Sequence, residues 1–404
     1  MSEWKEYRLN EIGTVVGGAT PSTMHPEYYD GSIPWITPKD LTNWKDVYIS
    51  KGERSITEAG YKSASCKIMP RGSVLFSSRA PIGYIAIAAN DICTNQGFKS
   101  VVPNPDLVES VFLYYSLLYN RERIKALGSG TTFAEISGKV MSNVCIRIPS
   151  LQEQRSIASI LSSLDSKIEN NRKICANLEA QAQALFKHWF IDFAPFKDGK
   201  FVESELGMIP EGWRVGKLGD LTEFLNGFAF KSSSFVSKGK YKVITIKAVQ
   251  DGKLITDSAD EIEDLSLNIP SHCVLKIGDI LLSLTGNVGR VCIVTQDNLV
   301  LNQRVCILNP RNLIDRGYVY TLSRTKLLKT RMINIAKGTA QANLSPVETS
   351  KLSIVVPPRY ILDKFGIIAN EYMSEIISAY QENQRLSSLR DTLLPKLMSG
   401  EIKV

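Results

Sequence analysis

The sequence predicts an α+β protein with two similar domains, each a curved β-sheet with short helices followed by a long helix, and the two long helices packing as an antiparallel coiled coil. Three observations carry this. The chain repeats itself about 208 residues on: Trp4, Leu9, Gly18, Thr37, Lys39, Ser77, Gly83, Asn95, Gln96, Gly130, Thr131, Ser137 and Pro149 return as Trp213, Leu218, Gly227, Thr245, Lys247, Ser283, Gly289, Asn302, Gln303, Gly338, Thr339, Ser345 and Pro357. A repeat of that length is a domain, not a solenoid unit. Each copy mixes short strand-like runs with turn residues, and a stretch of heptad-spaced apolar residues follows it.

The boundaries follow from the repeat: domain 1 over 1–150, a long helix and linker over 151–198, domain 2 over 199–358 and a C-terminal helix over 359–404. In the first domain, 72–78 and 83–89 read as a hairpin, matched in the second by 278–284 and 289–295, with Pro, Gly and Asn supplying the turns. A β-rich stretch closed by Pro103 or Pro310 comes next, then a helical segment over 107–127 or 313–335. A Gly-Thr loop and a last strand stopped by Pro149 or Pro357 complete each copy.

In the first long helix Ile157, Leu161, Leu164, Ile168, Asn171, Cys175, Leu178, Ala182, Leu185 and Trp189 keep a 4-3-4-3 spacing, the seam of a coiled coil. In the second the set is Phe365, Ala369, Tyr372, Ile376, Ala379, Asn383, Leu386, Arg390, Leu393 and Leu397. Full antiparallel overlap would pair Ala182 with Tyr372, Leu185 with Ala369, Trp189 with Phe365 and Ile168 with Leu386, with Asn171 opposite Asn383 to fix the register. Leu164 against Arg390 is the one poor layer, acceptable if the arginine stem packs and its head reaches water. The competing reading is two helices each packed on its own domain.

The formal charge of +7 divides as +2, 0, +5 and 0 over the four segments. The excess lies on the globular domains, as expected of surfaces that meet phosphate, while the balanced helices suit protein contacts. Seven cysteines in no C-x-x-C pair are the usage of a reducing cytoplasm, and with three histidines their spacing argues against a metal site. No basic-then-apolar opening and no run of 18 apolar residues occurs, so a cytoplasmic protein without a membrane span is expected. Phosphate-loop, nucleophile-elbow and zinc-protease motifs are missing, as is the N/D-P-P-aromatic loop of an amino-methyltransferase, so no catalytic residue is assigned.

The candidates for DNA contact are loop residues recurring in both halves: Thr37, Lys39, Ser77, Arg79, Tyr84, Asn95, Gln96, Gly130 and Thr131 in the first, and Lys247, Ser283, Thr285, Asn287, Arg290, Asn302, Gln303, Arg304, Thr339 and Gln341 in the second. Lys, Ser and Thr near glycine suit phosphate, and Asn, Gln and Arg suit base edges. Other readings stay open: a buried Asn-Gln pair also satisfies sheet backbone, and Lys39 and Lys247 read equally as solvated lysines. Arg79 becomes Thr285, Tyr84 becomes Arg290, Gly97 becomes Arg304 and Phe133 becomes Gln341. A common frame reading two different sequences would look like this, as would drift after duplication.

The stretches IPWITPKDL (33–41), TNQGFKSV (94–101), 128–161 with its proline-then-LQEQ helix start, ALFKHWFIDF (184–193), ELGMIPEGW (205–213) and LLPKLMSGEIKV (393–404) together resemble the specificity subunit of type I restriction-modification systems over the whole chain. The second helix start, 357–367, departs from the Gln-rich wording of the first. The resemblance implies two target-recognition domains that read a bipartite, asymmetric site in double-stranded DNA, with the helices setting the spacer. It implies two methyltransferase subunits docked on the helices, using S-adenosylmethionine to methylate adenine N6, and restriction subunits using ATP and Mg. The rival readings are a repeated-domain protein-interaction scaffold that does not bind DNA, and a self-sufficient methyltransferase, against which the missing catalytic loop argues.

Overall fold

The computed structural model describes residues 4–129, 134–265, 268–338 and 342–404, which fall into two compact units. Unit 1 comprises residues up to Asn170 together with Asn383–Val404, and unit 2 comprises Asn171–Glu382. Each unit holds one globular domain and one stretch of each long helix.

The β-architecture of the first unit is repeated in the second. In unit 1 a five-stranded sheet runs in the order Gly13–Gly17, Lys99–Pro103, Val74–Phe76, Ile85–Ala88, Tyr48–Ile49. In unit 2 a four-stranded sheet runs Thr222–Asn226, Val305–Pro310, Ile280–Ser283, Val291–Ile293. The expected hairpins are antiparallel pairs within these sheets, Val74 with Ile87 and Ile280 with Ile293. Each tight turn needs a glycine in the left-handed region, Gly83 at φ 94° and Gly289 at φ 79°. The first strand of each domain pairs antiparallel with its last, Lys5–Arg8 with Cys145–Ile148 and Arg214–Lys217 with Ser353–Val356. This closure brings both ends of the domain to the start of the long helix that follows.

Recurrence of glycine at 18 and 227 has a steric cause. A Cβ at Gly18 would collide with the carbonyls of Thr94 and Asn95, and one at Gly227 with that of Asn302. Only glycine lets these loops lie against the Asn-Gln segments.

The central helix, Leu151–Phe186, ends in a π-helical turn, Lys187–Ile191, and the C-terminal helix is Arg359–Ser399. They pack against each other, antiparallel, inside each unit. In unit 1 Ile157 and Leu161 share a core with Leu397 and Met398, and Asn383 donates to the Ile168 carbonyl at 3.3 Å. In unit 2 Cys175 packs with Ile376 and Ala379, the Trp189 ring lies 6.0 Å from Phe365, and Asn171 donates to Glu382 at 2.6 Å.

Two seam expectations are corrected. Met373 is buried at 4% exposure while Tyr372 is only half-buried, because Met373 packs into the core of the second domain with Phe365, Ala369 and Tyr318. The Arg390 head does not simply reach water: it pairs with Asp165 at 2.6 Å and Asp391 at 2.8 Å. Of the other seam residues, Ile168, Ala182 and Ala369 are buried, and Leu164, Leu178, Leu185, Leu386 and Leu393 are half-buried. Among the described residues no helix is long and apolar enough to cross a membrane, and no cluster of His, Cys, Asp and Glu could hold a metal ion.

Candidate nucleic-acid interface

The backbone brings the hairpin, the Asn-Gln turn and the segment after the Gly-Thr loop to one place in each domain. In unit 1 the Ser78 amide donates to the Gly97 carbonyl at 2.7 Å and the Ile136 amide to the Ser78 carbonyl at 2.9 Å. In unit 2 Leu284 donates to Arg304 at 3.0 Å and Leu344 to Leu284 at 2.7 Å. Isolated bridges extend the frame, Arg79 with Glu135 and Thr285 with Asn343. Four positions therefore correspond in space: Arg79 and Thr285, Gln96 and Gln303, Gly97 and Arg304, Glu135 and Asn343.

The side chains on that frame differ. In unit 1 Glu135 lies 3.8 Å from Arg79 and 3.5 Å from Lys99, so the cations of this rim share one carboxylate. In unit 2 Thr285, Gln303, Arg304 and Asn343, with Leu284, line a concavity of about 400 Å³. Gln303 and Arg304 are exposed there, and their side chains have no partner among the described residues. Gly97 has no room for what Arg304 does: a Cβ would lie 2.9 Å from both Asn95 Oδ1 and Pro38 Cγ.

The structure removes some candidates from direct contact. Ser77 and Ser283 are fully buried, and their hydroxyls staple the hairpin turns. Ser77 donates to the Pro81 carbonyl at 2.8 Å and accepts from the Tyr84 amide at 2.7 Å; Ser283 donates to the Asn287 carbonyl at 2.6 Å and accepts from the Arg290 amide at 3.0 Å. With donor and acceptor both engaged, neither is available to a phosphate. Thr37 caps a short 3-10 turn through Asp40, and Asn95 accepts from the Gly97 amide at 2.9 Å, so both shape backbone.

Lys39 is exposed and paired with Glu53 at 2.7 Å, and that carboxylate holds its ammonium above the usual lysine range. Exposed Gln96 accepts from the Thr20 hydroxyl. Tyr84 is half-buried against the sheet. Arg290 bonds to Gln250, and its guanidinium lies within 3.0–3.2 Å of the Asn287 side-chain amide. Lys247 is exposed; Thr245 and Asn302 are half-buried and hold the turn through their backbones. Gly130, Thr131, Phe133, Thr339 and Gln341 lie outside the described residues.

Sequence reading missed Glu135 and Asn343, which sit two residues before the matched serines Ser137 and Ser345. A mismatch that close to a matched cap was the signal available. It also missed the carboxylates that tie each domain to the central helix. Tyr115 donates to Asp165 at 2.6 Å, and Tyr320 to Glu179 at 2.5 Å. Asp165 is paired with Arg390, and Glu179 with Arg324. Burial and the adjacent carboxylate push both tyrosine hydroxyls well above their ordinary pKa.

A sequence model of the type I restriction modification DNA specificity domain matches residues 1–180 and 210–388. The chain is 38% identical, over all of its length and 94% of the relative's, to the specificity subunit of the type I restriction enzyme MjaIX of Methanocaldococcus jannaschii. It is 25% identical, over the full length of both, to the specificity subunit of the type I restriction enzyme HindI of Haemophilus influenzae. Among solved structures, the S subunit of a type-I restriction-modification system from M. genitalium matches with a TM-score of 0.60 at 19% identity, over 98% of this chain and 96% of that one. That likeness shows the fold.

Proposed function

Because the chain belongs to the type I restriction modification DNA specificity family, we infer that it is the non-catalytic DNA-recognition subunit of a type I restriction-modification complex. Each globular domain reads one half of a bipartite, asymmetric site in duplex DNA, and the helices set the unread spacer. Two methyltransferase subunits dock on the helices and carry S-adenosylmethionine for transfer to adenine N6. Restriction subunits bring ATP and Mg. In this reading the complex works in the cytoplasm, and this chain chooses the adenine that the methyltransferase flips out of the stack.

The observation that carries the reading is the common backbone frame with unlike side chains on its rim: Arg79, Gly97 and Glu135 in one unit, Thr285, Arg304 and Asn343 in the other. A frame repeated in its hydrogen bonds favours one mode of docking. Unlike rims favour different base sequences in the two halves. The charge distribution agrees, with the excess of basic residues on the domains and none on the helices.

The test is to co-express the chain with its methyltransferase and map N6-methyladenine across host DNA. A single two-part motif with unlike halves is expected. Duplex binding that shows a log-log salt slope near zero would instead favour a scaffold that does not use phosphate contacts.

A further inference from the structure

We propose that the concavity around Arg304 is where the second unit reads a base edge, Arg304 donating to the O6/N7 edge of a guanine in the major groove. The proposal rests on the DNA-specificity reading above. It goes further by assigning a residue and a base.

Three features of the site carry it. Arg304 is exposed at the edge of a concavity of about 400 Å³ and has no carboxylate partner among the described residues. A guanidinium left unpaired on a folded surface keeps all five donors for a ligand, and its planar fork fits the two acceptors of guanine. Its neighbours Gln303 and Asn343 carry amides, and on the floor the buried Thr285 hydroxyl has no partner among the described residues. Amides and hydroxyls offer acceptors as well as donors. A phosphate takes donors only, whereas a base pair presents both kinds of group in the major groove, so this lining fits a base edge better than the backbone.

The first unit sharpens the assignment. Its arginine reaches the frame from Arg79, on the hairpin, and faces Glu135. In the second unit the hairpin position is Thr285, the carboxylate position is Asn343, and the arginine stands where the first unit has the sterically confined Gly97. The second unit thus presents a guanidinium with no partner among the described residues where the first presents a paired one.

The test uses the full chain with its methyltransferase and compares N6-methyladenine maps for wild type, Arg304→Ala and Arg304→Lys. Both variants should relax one base pair in one half of the motif, the discrimination at that pair falling roughly 5- to 150-fold, the range of a bidentate contact. The other half should not change. Arg304→Lys keeps the charge, so it should lose discrimination while retaining most of its affinity for duplex DNA. An unchanged motif, or a uniform drop at every site with no position relaxed, would overturn the proposal and make Arg304 a bystander or a phosphate contact. A wild-type complex that yields no motif would reject the specificity reading itself, a result separable from failure of the Arg304 assignment. An equal melting temperature for wild type and variants excludes misfolding as the source of any change.

Discussion

The two units solve the same mechanical problem with different parts. Each must hold a small β-rich domain on a helix pair, and each does so with a tyrosine from the domain, a carboxylate from the central helix and an arginine. In unit 1 the arginine is Arg390, on the C-terminal helix, so Asp165 links the domain and both helices. In unit 2 it is Arg324, at the end of the domain helix Arg316–Ser323, and it also meets Asp251 at 3.4 Å. Tyr115 and Tyr320 occupy matching places, but the third partner comes from another element. The packing beside them differs too. Phe186, Phe190, Tyr318 and Phe365 form a nest of rings with centroids 4.9–5.9 Å apart in unit 2, whereas the rings of unit 1 meet in separate pairs, Phe112 with Trp4 at 6.1 Å and Tyr114 with Tyr115 at 5.0 Å. What recurs is the hydrogen-bonded frame; what varies is the chemistry hung on it.

The aromatic nest gives the largest effect with which to break the comparison. Phe365 is fully buried, and Phe365→Ala should cost about 3–5 kcal/mol. Hydrogen exchange should place the lost protection in unit 2. Equal loss in both units would show that they do not unfold separately. Next come the carboxylate clamps. Asp165→Asn and Glu179→Gln each leave a mostly buried arginine with only an outer acidic partner, at a cost of about 2–3 kcal/mol by chemical denaturation. Combined, the two should add, since each clamp lies within its own unit; strong non-additivity would mean the clamps are coupled.

Smaller changes sharpen the likeness. Ser137 and Ser345 cap matched helices, accepting from Val140 at 3.2 Å and Glu348 at 3.3 Å. Either serine changed to alanine should cost about 1 kcal/mol, and a large difference between them would show the frame to be less equivalent than its hydrogen bonds suggest. The smallest effect is in acid. Asp220 accepts from the Lys217 amide and lies by Arg214, and these partners hold its carboxyl below the ordinary aspartate value. Its contribution is present above the unfolded-state pKa and is lost as pH falls through the lowered one. Asp220→Asn should therefore flatten that part of the acid limb of a stability-against-pH curve, leaving the limb unchanged if Asp220 contributes nothing.

Much of the fold was legible because it was written twice. A hairpin glycine such as Gly83 or Gly289 means a tight turn, and finding it at both positions separates signal from accident. The heptad spacing exposed the seam for the same reason, since periodicity averages over many residues. What stayed hidden were contacts between residues far apart in sequence and outside any period. Asp165 and Glu179 lie off the seam, and their tyrosines are 50 and 141 residues away. Ser77 and Ser283 were visible as recurrent, yet recurrence alone does not distinguish a turn staple from a phosphate ligand. Burial does, and no spacing rule reveals it for a small polar residue on a strand. The rim was half legible: Arg79, Thr285, Gln303 and Arg304 stood out as mismatches or matches in the repeat, while Glu135 and Asn343 did not.

The central claim is that each unit reads one half of the site through a shared frame. The most direct measurement replaces residues 213–357 of the full chain with the matched residues 4–149, pairs the swapped protein with its methyltransferase, and maps N6-methyladenine. Two copies of the first domain should yield a palindromic two-part motif built from one half of the wild-type site. An asymmetric motif like the wild type's, or an uninterrupted one, would contradict the claim.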